Sequence, residues 1–185
     1  VTFKGDAASY IVTAPFMFKA HLFMGLSLFV IFPFTRLVHV WSGFALDEKR
    51  GILFAPTGSA TYDFYGGKRK GSNLFANCLI AIDACTGKRL WHFQFMHHDL
   101  WDKDLPTPPA LITINKNGKQ IDAVAQPTKN GMIYMFERET GKPVYDIEEI
   151  PVDTVSELVG EKPWPTQPVP KIPAPFARQT LTADD

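Results

Sequence analysis

One short segment concentrates the side chains that could do chemistry. Residues 91–104 read Trp-His-Phe-Gln-Phe-Met-His-His-Asp-Leu-Trp-Asp-Lys-Asp, and they follow directly on an apolar run and turn over residues 79–90. Loops held by a rigid scaffold are where reactive groups are displayed. The segment therefore predicts a site in a loop that follows a β-strand, the alternative being a surface loop with scattered charges.

Metal chemistry based on histidine or cysteine is not favoured by the sequence. Neighbouring side chains in an extended chain point to opposite faces, so His97 and His98 rarely bind one ion together. The two cysteines, Cys78 and Cys85, could form at most one disulfide and do not fix the redox compartment. A zinc or copper site is thus the minor alternative.

Composition sets broad limits on the function. The chain has 185 residues, a formal net charge of zero and 21% charged residues, which describes a soluble globular protein. A neutral charge balance gives no support to a nucleic-acid partner or to an anionic membrane surface. Fifteen prolines argue against a helix bundle.

A strand–turn–strand pattern recurs along the chain and predicts hairpins. The predicted strands are 44–46 with 52–54, 79–83 with 89–93, and 132–136 with 143–147, with a further strand at 121–126. The second and third turns share Thr-Gly-Lys, at 86–88 and 140–142. Hairpins repeated at this spacing are typical of propeller blades. A β-sandwich is the alternative.

Both ends of the chain differ from this pattern. Residues 1–40 form a divergent hydrophobic segment, and residues 20–35 carry no charged side chain but are short for a bilayer span. A buried strand pair or a hydrophobic helix is favoured there, with membrane attachment left open.

The proline-rich residues 161–185 predict an extended connector lying across their own domain, a docking peptide being the alternative. No closing strand follows, so we expect the chain to be part of a larger protein.

Three motifs resemble one family in the same order. Residues 81–94 resemble the tryptophan-docking repeat of the quinoprotein dehydrogenases, which use pyrroloquinoline quinone (PQQ) as cofactor. Residues 97–102 resemble the loop that carries the catalytic aspartate of these enzymes. Residues 129–131 resemble the stretch in which the family places a cation over the cofactor. The similarity is greatest to the membrane-associated glucose and polyol branch. It implies an all-β fold, a partial β-propeller holding several blades of an eight-bladed propeller over residues 41–160.

The resemblance implies roles for single residues. Asp102 resembles the general base that takes the substrate hydroxyl proton while hydride passes to the quinone. Lys129, with 26 residues between it and Asp102, resembles the group that donates hydrogen bonds to the quinone oxygens. Trp41 resembles the flat floor beneath the cofactor. From the residues alone, a turn-capping aspartate, a solvated lysine and a core tryptophan are the alternatives.

Other implied roles concern the metal and the blades. Ser59 stands where many relatives place an asparagine that binds calcium, so its part in a Ca²⁺ or Mg²⁺ site is in doubt, because serine is a weaker ligand. Trp91, Gln94 and Gly87 resemble the residues that lock neighbouring blades together. Asp99 and Asp104 are expected to support the loop.

These implications lead to a ranked set of functions. The first is part of a PQQ-dependent dehydrogenase that oxidises a sugar or alcohol and passes electrons to ubiquinone or a cytochrome. It is expected in the periplasm, with association with the inner membrane left open. The second is a non-catalytic propeller that acts as an assembly scaffold in the envelope. The third is a membrane-anchored remnant without a cofactor. The substrate, the electron acceptor and the oligomeric state stay open.

Overall fold

A computed structural model describes residues 15–17, 19, 20, 23, 27 and 43–180. The chain divides into two compact units, residues 1–42 and 43–185. In the first unit the described residues from Phe16 to Ser27 have helical backbone, and Lys19 N donates to Pro15 O at 3.1 Å. The strand-pair alternative is therefore wrong at those positions, while most of residues 20–35 lies outside the described residues. No helix among the described positions is long and apolar enough to cross a membrane.

The second unit consists of antiparallel strands in three sheets. The first sheet is a four-stranded meander, β1 (Ala45–Asp47), β2 (Ile52–Pro56), β3 (Cys78–Asp83) and β4 (Arg89–Gln94). The second contains β5 (Ala110–Lys116), β6 (Lys119–Pro127) and β7 (Ile133–Glu137), and the third pairs β8 (Ile147–Pro151) with β9 (Thr166–Pro170). A four-stranded meander is the form of a propeller blade.

Local turn chemistry explains the β3–β4 hairpin. The Asp83 carboxylate accepts hydrogen bonds from Cys85 N and Thr86 N, and Gly87 N closes the turn on Asp83 O at 2.8 Å. Gly87 has a φ of 71°, a left-handed conformation that costs glycine little. The predicted hairpin over 79–93 thus forms because its turn residues fit the turn.

One predicted strand, at the third hairpin, is wrong, and the C-terminal segment has one strand that the sequence pattern does not predict. The predicted strand over 143–147 does not form. Pro143 has no N–H to donate and makes only an isolated bridge with Phe136, and residue 147 instead begins β8. The proline-rich segment is extended as expected, but β9 within it is a paired strand rather than an unpaired connector. Its prolines are tolerated because β9 has a single partner strand, β8, and so lies at a sheet edge.

The core lies between the first two sheets and is rich in aromatic rings. Phe54, Trp91 and Phe136 are buried, and the Trp91 ring centroid lies 5.8 Å from each of the two phenylalanine rings. Burial alternates along β7, where Tyr134 and Phe136 face inward. This packing fixes the two sheets against each other, and hence the loops at their ends.

A buried ion-pair network joins the edges of the same two sheets. Asp47 on β1 is 5% exposed and lies 3.0 Å from Arg50 in the next turn and 3.0 Å from Arg138 after β7. Arg50 also contacts Asp122 on β6 at 2.6 Å. Burial raises the pKa of Asp47, but the hydrogen bonds from Arg138 and Arg50 outweigh it, and the pKa lies below its ordinary value of 3.8.

The stability of the protein is therefore expected to depend on Asp47 in a pH-sensitive way. A carboxyl group with a lowered folded-state pKa stabilises the fold above its ordinary pKa and loses that contribution as the pH falls through the lowered value. At pH 7, Asp47→Asn is expected to reduce the free energy of unfolding by about 3 kcal/mol, because two guanidinium groups lose their buried partner. Denaturant titrations of both proteins at pH 7 and near pH 3 measure the difference, which should shrink at the acidic pH. An equal difference at both pH values would contradict the account.

Candidate active site

The loop after β4 is organised around one buried carboxylate, Asp99, which is 1% exposed. Its Oδ1 accepts from Trp101 N at 2.9 Å, and its Oδ2 accepts from Lys103 N at 2.5 Å and Asn77 Nδ2 at 2.9 Å. The Ser59 hydroxyl also donates to Oδ2. A carboxylate that satisfies successive backbone N–H groups fixes the path of a loop. Asp99 therefore determines where residues 101–104 are held.

Asp102 and Lys129 meet at the end of this loop. Lys129 Nζ lies 3.1 Å from Asp102 Oδ2 and 3.0 Å from Asp102 O. The Asp102 side chain is 34% exposed and the Lys129 side chain is 36% exposed. Lys129 belongs to the turn between β6 and β7, where Gly131 N donates to Thr128 O at 3.0 Å. The two sheets thus bring together a carboxylate and an ammonium group that are distant in sequence and remain open to a ligand.

Asp104 is the third member of this cluster. Its Oδ1 accepts from Ser59 N at 2.5 Å, and its Oδ2 lies 3.3 Å from Lys129 Nζ. Gly58 permits this approach, because a methyl group at that position would lie 2.9 Å from Oδ1. Burial raises the pKa of Asp104, but the hydrogen bond from Ser59 N and the charge of Lys129 outweigh it, so the pKa lies below its usual range.

The contacts with the two carboxylates raise the pKa of Lys129. Partial burial lowers the pKa of Lys129, while the hydrogen bond to Asp102 and the charge of Asp104 raise it by more, so its pKa lies above the ordinary 10.5. Lys129 is thus a cation at any physiological pH. A permanent hydrogen-bond donor beside a carboxylate can stabilise developing negative charge on an oxygen while the carboxylate accepts a proton.

Ser59 lies in this cluster, whereas Trp41 falls outside the described residues. Ser59 uses its hydroxyl on Asp99 and its N–H on Asp104. Across residues 43–180 and the described N-terminal positions, no group of three or more His, Cys, Asp or Glu side chains converges as a metal site. The roles of Ser59 as a metal ligand and of Trp41 as a cofactor floor stay predictions.

Trp91 contacts the turn of the next sheet. Its Nε1 donates to Arg138 O at 2.9 Å, and a methyl group on Gly141 would lie 2.5 Å from its ring carbon Cδ2. Gly141 is the glycine of the second Thr-Gly-Lys turn. In contrast, Gln94 donates to Ser72 O and Ala76 O in the loop between β2 and β3, and a Cβ on Gly87 would meet no described atom within 4 Å other than its chain neighbours. Of the three residues predicted to dock blades, Trp91 has a hydrogen bond to the turn that follows β7 in the next sheet.

Gly141→Ala is therefore expected to destabilise the protein by about 2 kcal/mol or more, because the methyl group overlaps the indole ring. Gly118→Ala is the matched control. Gly118 also has a positive φ, 80° against 69° for Gly141, but has open space around it. Urea unfolding should show only the backbone cost of about 1 kcal/mol for the control. Equal losses in the two variants would mean that the contact with Trp91 contributes nothing.

The adjacent histidines have separate partners. His97 Nδ1 contacts Gln94 Oε1 at 2.8 Å and its Nε2 contacts Glu149 Oε1 at 3.1 Å. His98 is 4% exposed and its Nδ1 contacts Gly71 O at 2.7 Å. The two imidazoles contact different parts of the protein, in a bend where His98 has a φ of 47° rather than an extended backbone.

Two contributors were not found by sequence reasoning. Asn77 donates to Asp99, Ser59 and Lys103 O, and its one signal is a polar residue directly before the apolar strand β3. Gln167 on β9 accepts from His97 N and donates to His97 O, each at 2.8 Å. Gln167 lies inside the predicted connector, and no pattern in the sequence places it at the loop.

Comparison with known families identifies the second unit. Residues 34–185 match the PQQ family described as "Glucose/ethanol/alcohol dehydrogenase, beta-propeller domain". The chain belongs to this family. Residues 1–45 match a second family, the nitrate reductase gamma subunit. Trp41 lies in the stretch that both matches share.

Relatives of the PQQ family match at moderate identity. The chain is 41% identical over 124 residues to the quinoprotein glucose dehydrogenase A of Acinetobacter calcoaceticus, covering 64% of the chain and 16% of the relative. It is 38% identical over 133 residues to a probable quinate dehydrogenase (quinone) of Xanthomonas campestris pv. juglandis, covering 71% and 17%. The chain thus spans about a sixth of the length of these relatives.

A solved structure of the PQQ family supports the fold. The quinohemoprotein alcohol dehydrogenase of Comamonas testosteroni matches with a TM-score of 0.52 and 27% identity, over 68% of this chain and 19% of that one. Together with the antiparallel meander sheets, this match confirms the predicted partial β-propeller. It leaves the β-sandwich alternative without support.

Proposed function

We propose that the full-length protein is a PQQ-dependent dehydrogenase that oxidises a hydroxyl group of a sugar or alcohol. The observation that carries the proposal is the 3.1 Å contact between Asp102 and Lys129, at the positions where the family resemblance places the base and the cation. The relatives are named glucose and quinate dehydrogenases, which supports a polyhydroxy substrate.

The cluster has the chemistry that PQQ requires of its surroundings. An ortho-quinone offers oxygen acceptors, and Lys129 offers N–H donors on a side chain that is 36% exposed. Its contact with Asp104 is long, at 3.3 Å, and therefore weak enough to exchange for a ligand oxygen. When bound, PQQ supplies the quinone carbon that accepts hydride from the substrate. Lys129 would donate hydrogen bonds to the quinone oxygens, and Trp41 is proposed as the floor beneath the cofactor.

Asp102 is proposed as the general base. Its carboxylate accepts the hydroxyl proton as the substrate C–H bond breaks and the C=O bond forms, so the substrate loses one proton and one hydride. Asp99 acts through the loop, by holding residues 101–104 in place, and Asp104 helps to hold Lys129. The metal is proposed as Ca²⁺ or Mg²⁺, with Ser59 as a candidate ligand. Calcium binds six to eight oxygens, so further ligands have to come from other parts of the protein.

The cellular setting follows the family. We infer a periplasmic protein, associated with the inner membrane, that passes electrons to ubiquinone or a cytochrome. Residues 1–45 match the nitrate reductase gamma subunit, and we propose no role for this region. The scaffold alternative gains no support from the site, because docking between blades does not require Asp102 and Lys129 to meet.

Reconstitution of the full-length protein with PQQ and calcium tests the proposal. The expected result is quenched tryptophan fluorescence, a shifted quinone absorbance and reduction of an artificial electron acceptor with glucose, glycerol or quinate. Omission of PQQ should abolish dye reduction. Tight PQQ binding without turnover of any of these substrates would contradict the enzyme function, and absence of PQQ binding would contradict the cofactor.

A further inference from the structure

Asn77 joins the loops that follow β2 and β4, and it is 1% exposed. Its N–H donates to Gly58 O at 2.9 Å, and its carbonyl accepts from Phe95 N at 2.8 Å. The backbone of Asn77 is thus tied both to the loop after β2 and to the first residue after β4. Its side chain therefore starts from a fixed position between the two loops.

The side-chain amide of Asn77 faces hydrogen-bond acceptors. Its Nδ2 lies 2.9 Å from Asp99 Oδ2, 3.0 Å from Lys103 O and 3.2 Å from Ser59 Oγ. The Ser59 hydroxyl donates its own hydrogen to Asp99 Oδ2, so its oxygen is an acceptor toward Asn77. An N–H donor fits such surroundings, and an asparagine amide has two N–H groups for the two shortest contacts.

Lys103 is held at both ends of its backbone as a result. Its N–H donates to Asp99 Oδ2 at 2.5 Å, and its carbonyl accepts from Asn77 Nδ2. Because a trans peptide group is planar, an N–H of Lys103 that points to Asp99 turns the carbonyl of Asp102 the opposite way. That carbonyl accepts from Lys129 Nζ at 3.0 Å. The orientation of this peptide group therefore sets the approach of Lys129 to the proposed base.

We infer that Asn77 is a positioning residue for the proposed reaction. It acts through Asp99 and Lys103, by holding the peptide group that brings Asp102 to Lys129, and the inference therefore rests on the proposed function. Without the Asn77 amide, the buried Asp99 carboxylate loses a donor and Lys103 O loses its partner. Leaving such groups unpaired is costly, so residues 101–104 would move to other conformations.

Asn77→Gly in the full-length holoenzyme tests the inference. Asn77 has a φ of 51°, a left-handed conformation that glycine adopts at little cost, so the variant removes the amide and keeps the backbone. The substrate is whichever of glucose, glycerol and quinate the wild type oxidises fastest. At saturating substrate, single-turnover reduction of bound PQQ is expected to slow roughly 10- to 100-fold per bound cofactor, because the base is misplaced.

This rate constant separates positioning from stability. A loss of stability alone would lower the amount of PQQ bound and leave the rate constant per bound cofactor unchanged. The substrate concentration for half-saturation should stay within about 2-fold of the wild type, because an interaction that acts on the chemical step lowers the rate and not the binding.

Asn117→Gly is the matched control, since Asn117 has a φ of 54° in the exposed turn between β5 and β6. It should leave the rate constant unchanged. Asn77→Asp is a second variant, which keeps the shape of the side chain and tolerates a left-handed φ. It places an oxygen where the N–H donor was, against three acceptors, so the rate constant should fall at least as far as in Asn77→Gly.

Hydrogen exchange in the full-length protein gives a readout that does not depend on turnover. The N–H groups of Trp101 and Lys103 donate to Asp99, and they should exchange roughly 10-fold faster in Asn77→Gly than in the wild type. Unchanged exchange at these two positions would overturn the inference. A wild-type rate constant per bound PQQ in either Asn77 variant would overturn it as well.

Failure of the inference and failure of the proposed function give different results. If the wild type reduces bound PQQ with one of these substrates and an Asn77 variant does so equally fast, the inference alone fails. If the wild type binds PQQ but reduces it with none of the substrates, the proposed function fails and the inference with it.

Discussion

Asp102→Asn in the full-length holoenzyme is expected to lower kcat by roughly 10²- to 10⁴-fold, the usual effect of removing a general base. Asparagine has nearly the same shape and can still accept a hydrogen bond from Lys129, but it cannot take up the hydroxyl proton. The loop should keep its conformation, because Asp99 rather than Asp102 accepts the backbone hydrogen bonds of Trp101 and Lys103. PQQ binding, followed by quinone absorbance, should therefore persist.

Steady-state kinetics with a saturating electron acceptor measure this loss. Asp146→Asn is the matched control, since Asp146 is exposed and precedes β8, outside the cluster of Asp102, Asp104 and Lys129. It should retain wild-type kcat. Turnover within a few-fold of the wild type in Asp102→Asn, with PQQ bound, would remove Asp102 from its proposed role.

Lys129→Met is expected to lower kcat by roughly 10²- to 10³-fold, because a hydrogen-bond donor to a developing oxyanion is lost. The substitution also leaves Asp102 and Asp104 without the cation they share. The pKa of Asp104 should then rise, since contact with Lys129 is one of the causes that lower it. Single-turnover reduction of bound PQQ by substrate, followed by absorbance, separates the chemical step from reoxidation.

Lys129→Arg tests whether the cation alone is sufficient. Arginine keeps the charge and should recover part of the lost rate, although its planar group has a different geometry. Lys119→Met, at the exposed start of β6, serves as the control and should behave as the wild type. A Lys129→Met enzyme with wild-type single-turnover rates would contradict the placement of this lysine at the quinone.

The hairpins of the first sheet could be predicted from the sequence, because the residues of their turns favour those turns. The hairpins at 44–54 and 79–93 formed because Gly51 and Gly87 adopt the left-handed conformation that these turns require. The strand at 121–126 lies within β6. The strand β5 is not among the predicted strands, although local signals mark it. Three prolines at 106, 108 and 109 precede it, and Asn117 and Gly118, both with positive φ, form the turn that joins it to β6.

The unpredicted part depends on contacts between distant segments. The strand β9 contains Pro168 and Pro170, and a sequence pattern cannot show that a single neighbouring strand, β8, suffices to pair it. In the loop, three aspartates looked alike in the sequence. Only the fold shows that Asp99 is buried while Asp102 and Asp104 remain partly exposed beside Lys129. The pairing of Asp102 with Lys129 was expected from the family resemblance and not from the residues alone.

An experimental structure of the full-length protein with PQQ bound tests the central claim most directly. The account predicts Lys129 Nζ within hydrogen-bonding distance of the quinone oxygens, at about 3 Å, with the Asp102 carboxylate facing the same edge of the cofactor. PQQ bound at another surface, with Asp102 and Lys129 still paired to each other and in contact with neither cofactor nor substrate, would contradict it.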